Sequence, residues 1–152
     1  MTKKTAHHAP ARLGVVLEFL GLLWEMNHAL ATTSKRMAAR FGVTGPQRLV
    51  IRIVGRFPNI SAGRLAEVLH LHPSTVTPVL VRLEGRRLLV RTADPRDRRR
   101  VTVRLTAKGR RLAHASLGEV ENAVKRVLAA SGRNRVEATR EMLRRLTEAL
   151  ER

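Results

Sequence analysis

The sequence predicts a mainly α-helical fold built around a winged helix-turn-helix, with long helices at both ends. Three observations lead there. Apolar residues recur at three- and four-residue steps through most of the 152-residue chain. Two short helical segments, one starting at Ser61 and one opening at Pro73, are separated only by the tight connection His70–Leu71–His72. Immediately after them, two β-rich runs, Leu88–Thr92 and Val101–Leu105, bracket the polar turn Ala93–Arg100, the pattern of a hairpin.

The elements follow in order. Residues 1–12 read as a flexible arm carrying Lys3, Lys4, His7 and His8. From Leu13 a long helix places Leu13, Leu17, Leu20, Trp24 and Leu30 on one broad apolar face, and Gly42 stops it. Thr44 caps a second helix with Pro46 in its first turn, running through Leu49, Ile51, Ile53 and Val54 to about Phe57. Ser61 starts the third, with Leu65, Val68 and Leu69 as its apolar positions. Pro73 opens the fourth at the first helical position, where its missing N–H does no harm, and Val76, Val79, Leu80 and Leu83 point inward. Pro78 removes the bond to the Ser74 carbonyl, which predicts a mild kink and not a break. Thr106 caps a long helix through Leu112, Leu117, Val120, Val124, Val127 and Leu128, ended by Ser131–Gly132. Asn134 and Glu137 form an expected capping box for the last helix. Its stripe of Val136, Leu143, Leu146 and Leu150 is too narrow to stand alone and needs a partner surface.

Composition narrows the function. Hydrophobic residues make up 43% of the chain, enough for one globular domain. The formal charge is +18 with a sequence pI near 12.0, and such a balance calls for an anionic partner. Much of that charge is concentrated: Arg86–Arg111 holds eleven Lys/Arg against two Asp, crowding arginines at the hairpin tip. Aromatic residues are only 3%, Trp24, Phe19, Phe41 and Phe57, too few for the stacking platforms of RNA and single-strand binders. Duplex DNA is the expected partner. With no cysteine, disulfides, zinc–thiolate sites and thiol redox sensing are excluded for this chain. Leu13–Leu30 is interrupted by Glu18, Glu25, Asn27 and His28, so no membrane span is expected and a cytoplasmic, nucleoid-associated protein is the reading.

The helix opened by Pro73 exposes Ser74, Thr75, Thr77 and Arg82 opposite its apolar face. In a helix-turn-helix these first two turns face base edges of the major groove. Arg82 and Arg86, further along, are placed to reach phosphates. The stretch from Leu65-Ala66-Glu67 through the Ser74-Thr75-Val76-Thr77 helix, Arg82-Leu83-Glu84, Asp94-Pro95-x-Asp97-Arg98-Arg99 and Leu105-Thr106-x-x-Gly109 resembles the winged-helix core of the MarR family of bacterial transcription regulators. Val43-Thr44-x-Pro46-Gln47 resembles the start of that family's second helix.

The resemblance implies a homodimer joined through helices within 13–41 and 106–152, with residues 44–105 as the winged helix-turn-helix lobe. It implies binding to a palindromic operator, usually repression, and relief by a small, often aromatic or phenolic, ligand. Ser74, Thr75 and Thr77 would face the major groove. Arg96 or Arg98 would enter the minor groove, supported by Asp94 or Asp97, with Arg99 beside them. Narrow A·T-rich minor grooves attract arginine, which agrees with that assignment. Thr77-Pro78 is similar to a pattern of the family's organic-peroxide-sensing branch, whose cysteine chemistry this chain lacks.

Other candidates are weaker. Trp24 and His28, one turn apart, and Arg48 and Arg52, also one turn apart, are candidate contacts for a small ligand; the competing reading places Trp24 in the core and the arginines in salt bridges. His70 and His72 sit in a turn without further ligands, so no metal site is expected. No paired-carboxylate, phosphate-loop or nucleophile–base pattern is present, and neither an enzyme nor a cofactor is expected. A sequence-indifferent architectural DNA coater is the competing function, and a basic membrane-surface protein is a third.

Overall fold

The computed structural model describes residues 13–94, 97, 100–114 and 119–151. Seven helices and three short strands follow along these residues: α1 (Gly14–Phe41), α2 (Gly45–Arg56), β1 (Ile60–Ser61), α3 (Ala62–Leu69), α4 (Pro73–Gly85), β2 (Leu89–Ala93), β3 (Val101–Leu105), α5 (Ala107–His114), α6 (Glu119–Ala130) and α7 (Arg133–Leu150). The expected arm, residues 1–12, lies outside the described residues.

Caps explain most of the boundaries. Gly42 takes the left-handed conformation (φ 72°) and its amide bonds Ala38 O, ending α1. Thr44 and Gln47 form a reciprocal capping box at the start of α2. Ser61 accepts the Arg64 amide at 3.1 Å and starts α3. Pro78 lies within α4 without ending it. The first hairpin strand begins at Leu89, one residue later than expected.

Two features differ from the sequence reading. Asn134 does not cap α7. The helix already starts at Arg133, with extended Gly132 in the cap position and no side-chain cap bond. Asn134 is therefore inside the first turn, and Glu137 pairs outward with Arg140 at 3.1 Å. Second, β1 was not anticipated; it adds to the far side of the hairpin, giving the antiparallel order β1-β3-β2. Ile60 is opposite Val103, and Leu89 is opposite Leu105. The helix expected from Thr106 corresponds to α5 and α6, and residues 115–118 between them lie outside the described residues.

One core unites the helix-turn-helix and the sheet. Ile51 and Val54 of α2, Leu65 of α3, Val76, Leu80 and Leu83 of α4, and Leu89, Val103 and Leu105 of the sheet are its centre. Burying each of these side chains contributes roughly 1.5–3 kcal/mol. By contrast, α1 buries only Met37, and α7 buries no residue. Trp24 is 78% exposed, so it is not a core residue of this chain.

The exit from the hairpin is the tightest junction. Thr106 Oγ1 donates to Arg87 O (2.7 Å) and accepts the Gly109 amide (3.1 Å), while the Thr106 amide bonds Leu88 O. This brings α5 onto the residues that follow α4 so closely that a Cβ on Gly109 would overlap the Leu88 carbonyl. Gly109→Ala should therefore destabilise the chain by about 3 kcal/mol or more, at or beyond the upper end of overpacking costs. Gly63→Ala, in α3 with nothing nearby, should instead stabilise it by about 0.4–1 kcal/mol. Denaturant unfolding of the two variants checks both signs.

Candidate nucleic-acid interface

α4 begins with a side-chain cap that the sequence did not disclose. His72, extended at φ −66°, accepts the Ser74 amide through its ring, and Pro73 follows in the first turn. Ser74, Thr75 and Thr77 are all exposed, while Val76, Leu80 and Leu83 are buried on the other side. Ser74, Thr77, Pro78 and Val81 recur at three- and four-residue steps and form one outward stripe. Val81 is 49% exposed, an apolar residue on the solvent face that the periodic reading overlooked. Arg82 and Arg86 lie exposed further along, at the end of the helix and just beyond it.

The hairpin is anchored to this helix by an ion pair. Glu84 accepts the Arg91 amide at 3.1 Å and the Arg91 Nε at 2.7 Å, with Nη2 also within 2.6 Å. Hydrogen bonding from the Arg91 side chain, and then from its amide, holds the Glu84 carboxyl below the usual glutamate value. Glu84 stood in a motif of the sequence, but its pairing with Arg91, seven positions on across a helix end, did not show there. Toward the tip, Thr92 and Thr102 hydroxyls meet at 3.1 Å. The turn is held by backbone bonds from the Asp94 amide to Arg100 O and from the Arg100 amide to Asp97 O, both 2.8 Å. Asp94 thus stands at the base of the turn and Asp97 within it. Arg96, Arg98 and Arg99 lie outside the described residues.

The sequence profile of the MarR family matches residues 43–101, the span of these elements. The regulator TtmR of Methylorubrum extorquens is 34% identical over 85 residues, covering 56% of this chain and 44% of that protein. The repressor Rv2887 of Mycobacterium tuberculosis is 30% identical over 108 residues, covering 71% of this chain and 78% of that protein. The chain belongs to the MarR family. Its fold is also that of MepR from S. aureus, solved as a DNA complex: TM-score 0.71 at 19% identity, covering 87% of this chain and 97% of MepR. The chain spans about half the length of several curated relatives, 44% to 60% for three of them.

Within this MarR-family fold, the four residues considered for a ligand fall into two groups. Trp24 and His28 are exposed on α1. Arg48 of α2 is buried, and Arg52 one turn on is half exposed. Arg48, its side chain 3% exposed, donates to Leu112 O at 3.0 Å and to Glu121 Oε2 at 3.4 Å. Its Nε lies 3.1 Å from Glu121 Oε1 but off the line of a hydrogen bond, so that contact is electrostatic. Arg52 donates to Ala113 O at 2.7 Å and approaches Glu121 at 3.6 Å. Both guanidiniums therefore serve the last carbonyls of α5, where cations complement the helix dipole.

The Glu84–Arg91 anchor carries a pH signature. Because the folded-state value is depressed, its stabilising contribution is present above the ordinary value of 4.5 and is lost as pH falls through the lower, folded one. Glu84→Gln should lower stability at neutral pH and flatten that acid limb, so that the two proteins converge as pH falls below the folded value. Thermal melts of both proteins between about pH 3 and pH 6 measure it.

Proposed function

We propose that this chain is a sequence-specific regulator of transcription that binds duplex DNA as a homodimer on a palindromic operator. The observation carrying the reading is the outward stripe of α4 beside an arginine-rich hairpin that Glu84 and Arg91 fix to the same helix. A helix held at that angle to a basic wing suits simultaneous contact with major and minor grooves. Membership of the MarR family supports it, as does the net charge of +18. Repression is the expected mode, and action on DNA places the protein in the cytoplasm.

The second copy is inferred from the apolar surface left on the flanking helices. Leu17, Leu20 and Trp24 of α1 and Leu143 and Leu150 of α7 are more than two-fifths exposed. Faces of this kind are covered when two copies associate. Relief by a small aromatic acid is read at Arg48 and Arg52, where a ligand carboxylate would compete with Glu121 for two guanidiniums.

Competition binding tests the main claim. A site selected from a random duplex pool should resist unrelated duplex by a factor of about 10³ or more. Arg96→Ala and Arg98→Ala, measured side by side, should each weaken binding, and the salt slope should drop by about one phosphate equivalent or less. Sedimentation should give twice the 17.0 kDa chain mass. Equal competition by any duplex would instead support the architectural coater.

A further inference from the structure

The exposed stripe of α4 offers no free hydrogen-bond donor of its own. The Ser74 amide donates to His72 Nδ1 at 3.3 Å, an arrangement that requires the tautomer with a lone pair on Nδ1 and the ring proton on Nε2. In that tautomer the Ser74 hydroxyl, 2.7 Å from Nδ1, is the donor in the contact. The Thr77 hydroxyl donates to the Pro73 carbonyl at 2.9 Å. Pro73 has no N–H, and the Thr75 amide donates to the His72 carbonyl at 2.9 Å. These first amides are already spent, so the helix start is not a phosphate cradle of the usual kind.

What faces outward is two hydroxyl oxygens with only lone pairs to offer, followed by apolar Pro78 and Val81. The major groove presents matching and opposing patterns to such a surface. Guanine shows two acceptors, N7 and O6, which an acceptor-only stripe repels. Adenine shows an amino donor at N6, and its paired thymine adds a methyl group for an apolar contact. Cytosine supplies an amino donor as well, but beside guanine O6 and without a methyl.

We infer that this stripe reads A·T pairs, with Ser74 Oγ and Thr77 Oγ1 accepting from adenine N6 and with Pro78 and Val81 packing on thymine methyls. His72 is the positioning residue that sets the polarity of Ser74. Donors flank the stripe and do not interrupt it: Arg82 lies to one side, with the Thr75 hydroxyl, which has no internal partner among the described residues. This specificity rests on the DNA-binding reading given above.

The test replaces single atoms in a duplex carrying the selected site. At the central pairs of each half-site, exchanging adenine for purine, which lacks the amino group, should weaken binding about threefold to tenfold. Exchanging thymine for uracil should weaken it about twofold to fourfold. His72→Phe removes the ring acceptor and frees the Ser74 hydroxyl to donate, so selection with that variant should admit guanine where the parent chain demands adenine. His72→Asn restores an oxygen acceptor at the cap and should restore adenine, with circular dichroism confirming that both variants fold. Half-sites centred on G·C pairs, with affinity that falls on 7-deazaguanine replacement, would overturn this inference and leave the regulator intact. An unchanged base preference in a folded His72→Phe chain would overturn the role of His72. A pool yielding no selected site would overturn both this inference and the regulator reading.

Discussion

The buried guanidinium of Arg48 is the interaction on which the arrangement of this chain depends. It sits on α2, whose apolar face contributes Val50, Ile51 and Val54 to the core, and reaches out to the end of α5 and to Glu121 of α6. One side chain thereby joins the helix-turn-helix to the helices that flank it. Removing one partner of a fully buried pair typically costs about 3–5 kcal/mol. Glu121 is 38% exposed, so the effect here lies below that range, but Arg48 itself has almost no access to water. Arg52 adds a second cation to the same carboxylate and to the next carbonyl of α5. The joint is polar and directional, which fixes an angle in a way that an apolar contact between helices does not.

A second constraint lies where the chain leaves α4. Thr106 and Gly109 clamp α5 to the carbonyls of Arg87 and Leu88, and Glu84 clamps the hairpin to α4. α4, the hairpin and α5 are therefore tied to one another by side-chain and backbone hydrogen bonds. On the proposed dimer, the same rigidity extends through Arg48 to the association surface, so that the spacing between two reading helices becomes a property of the fold.

Much of this was legible in the sequence, and the parts that were not have physical reasons. Thr44, Ser61, Thr106 and Gly42 mark helix ends through local backbone chemistry, which needs only neighbouring residues to operate. The core positions of α4 follow from period, whereas in α2 the period found Ile51 and Val54 but put Leu49, which is 49% exposed, in place of buried Val50. β1 left no trace, because two residues cannot show an alternation and its pairing partner Val103 is remote in sequence. Asn134 misled because a good capping residue two positions past the cap is simply part of the helix. Trp24 misled for a different reason: an apolar face says that something covers it, not that the cover belongs to the same chain. The site was half legible. The stripe of hydroxyls was visible from spacing, but the destination of each hydroxyl proton depends on His72 and Pro73 geometry that no pattern encodes.

Rigid spacing is the claim that binds these points together, and one measurement addresses it directly. Affinity is measured on a selected palindromic duplex and again after about five base pairs, half a helical turn, are inserted between the half-sites. The insertion turns the second half-site to the opposite face of the DNA, where a fixed pair of reading helices cannot follow. The account predicts a fall to the level of unrelated duplex, about 10³-fold. Unchanged affinity across the insertion would show that the two lobes read DNA independently, and would contradict it.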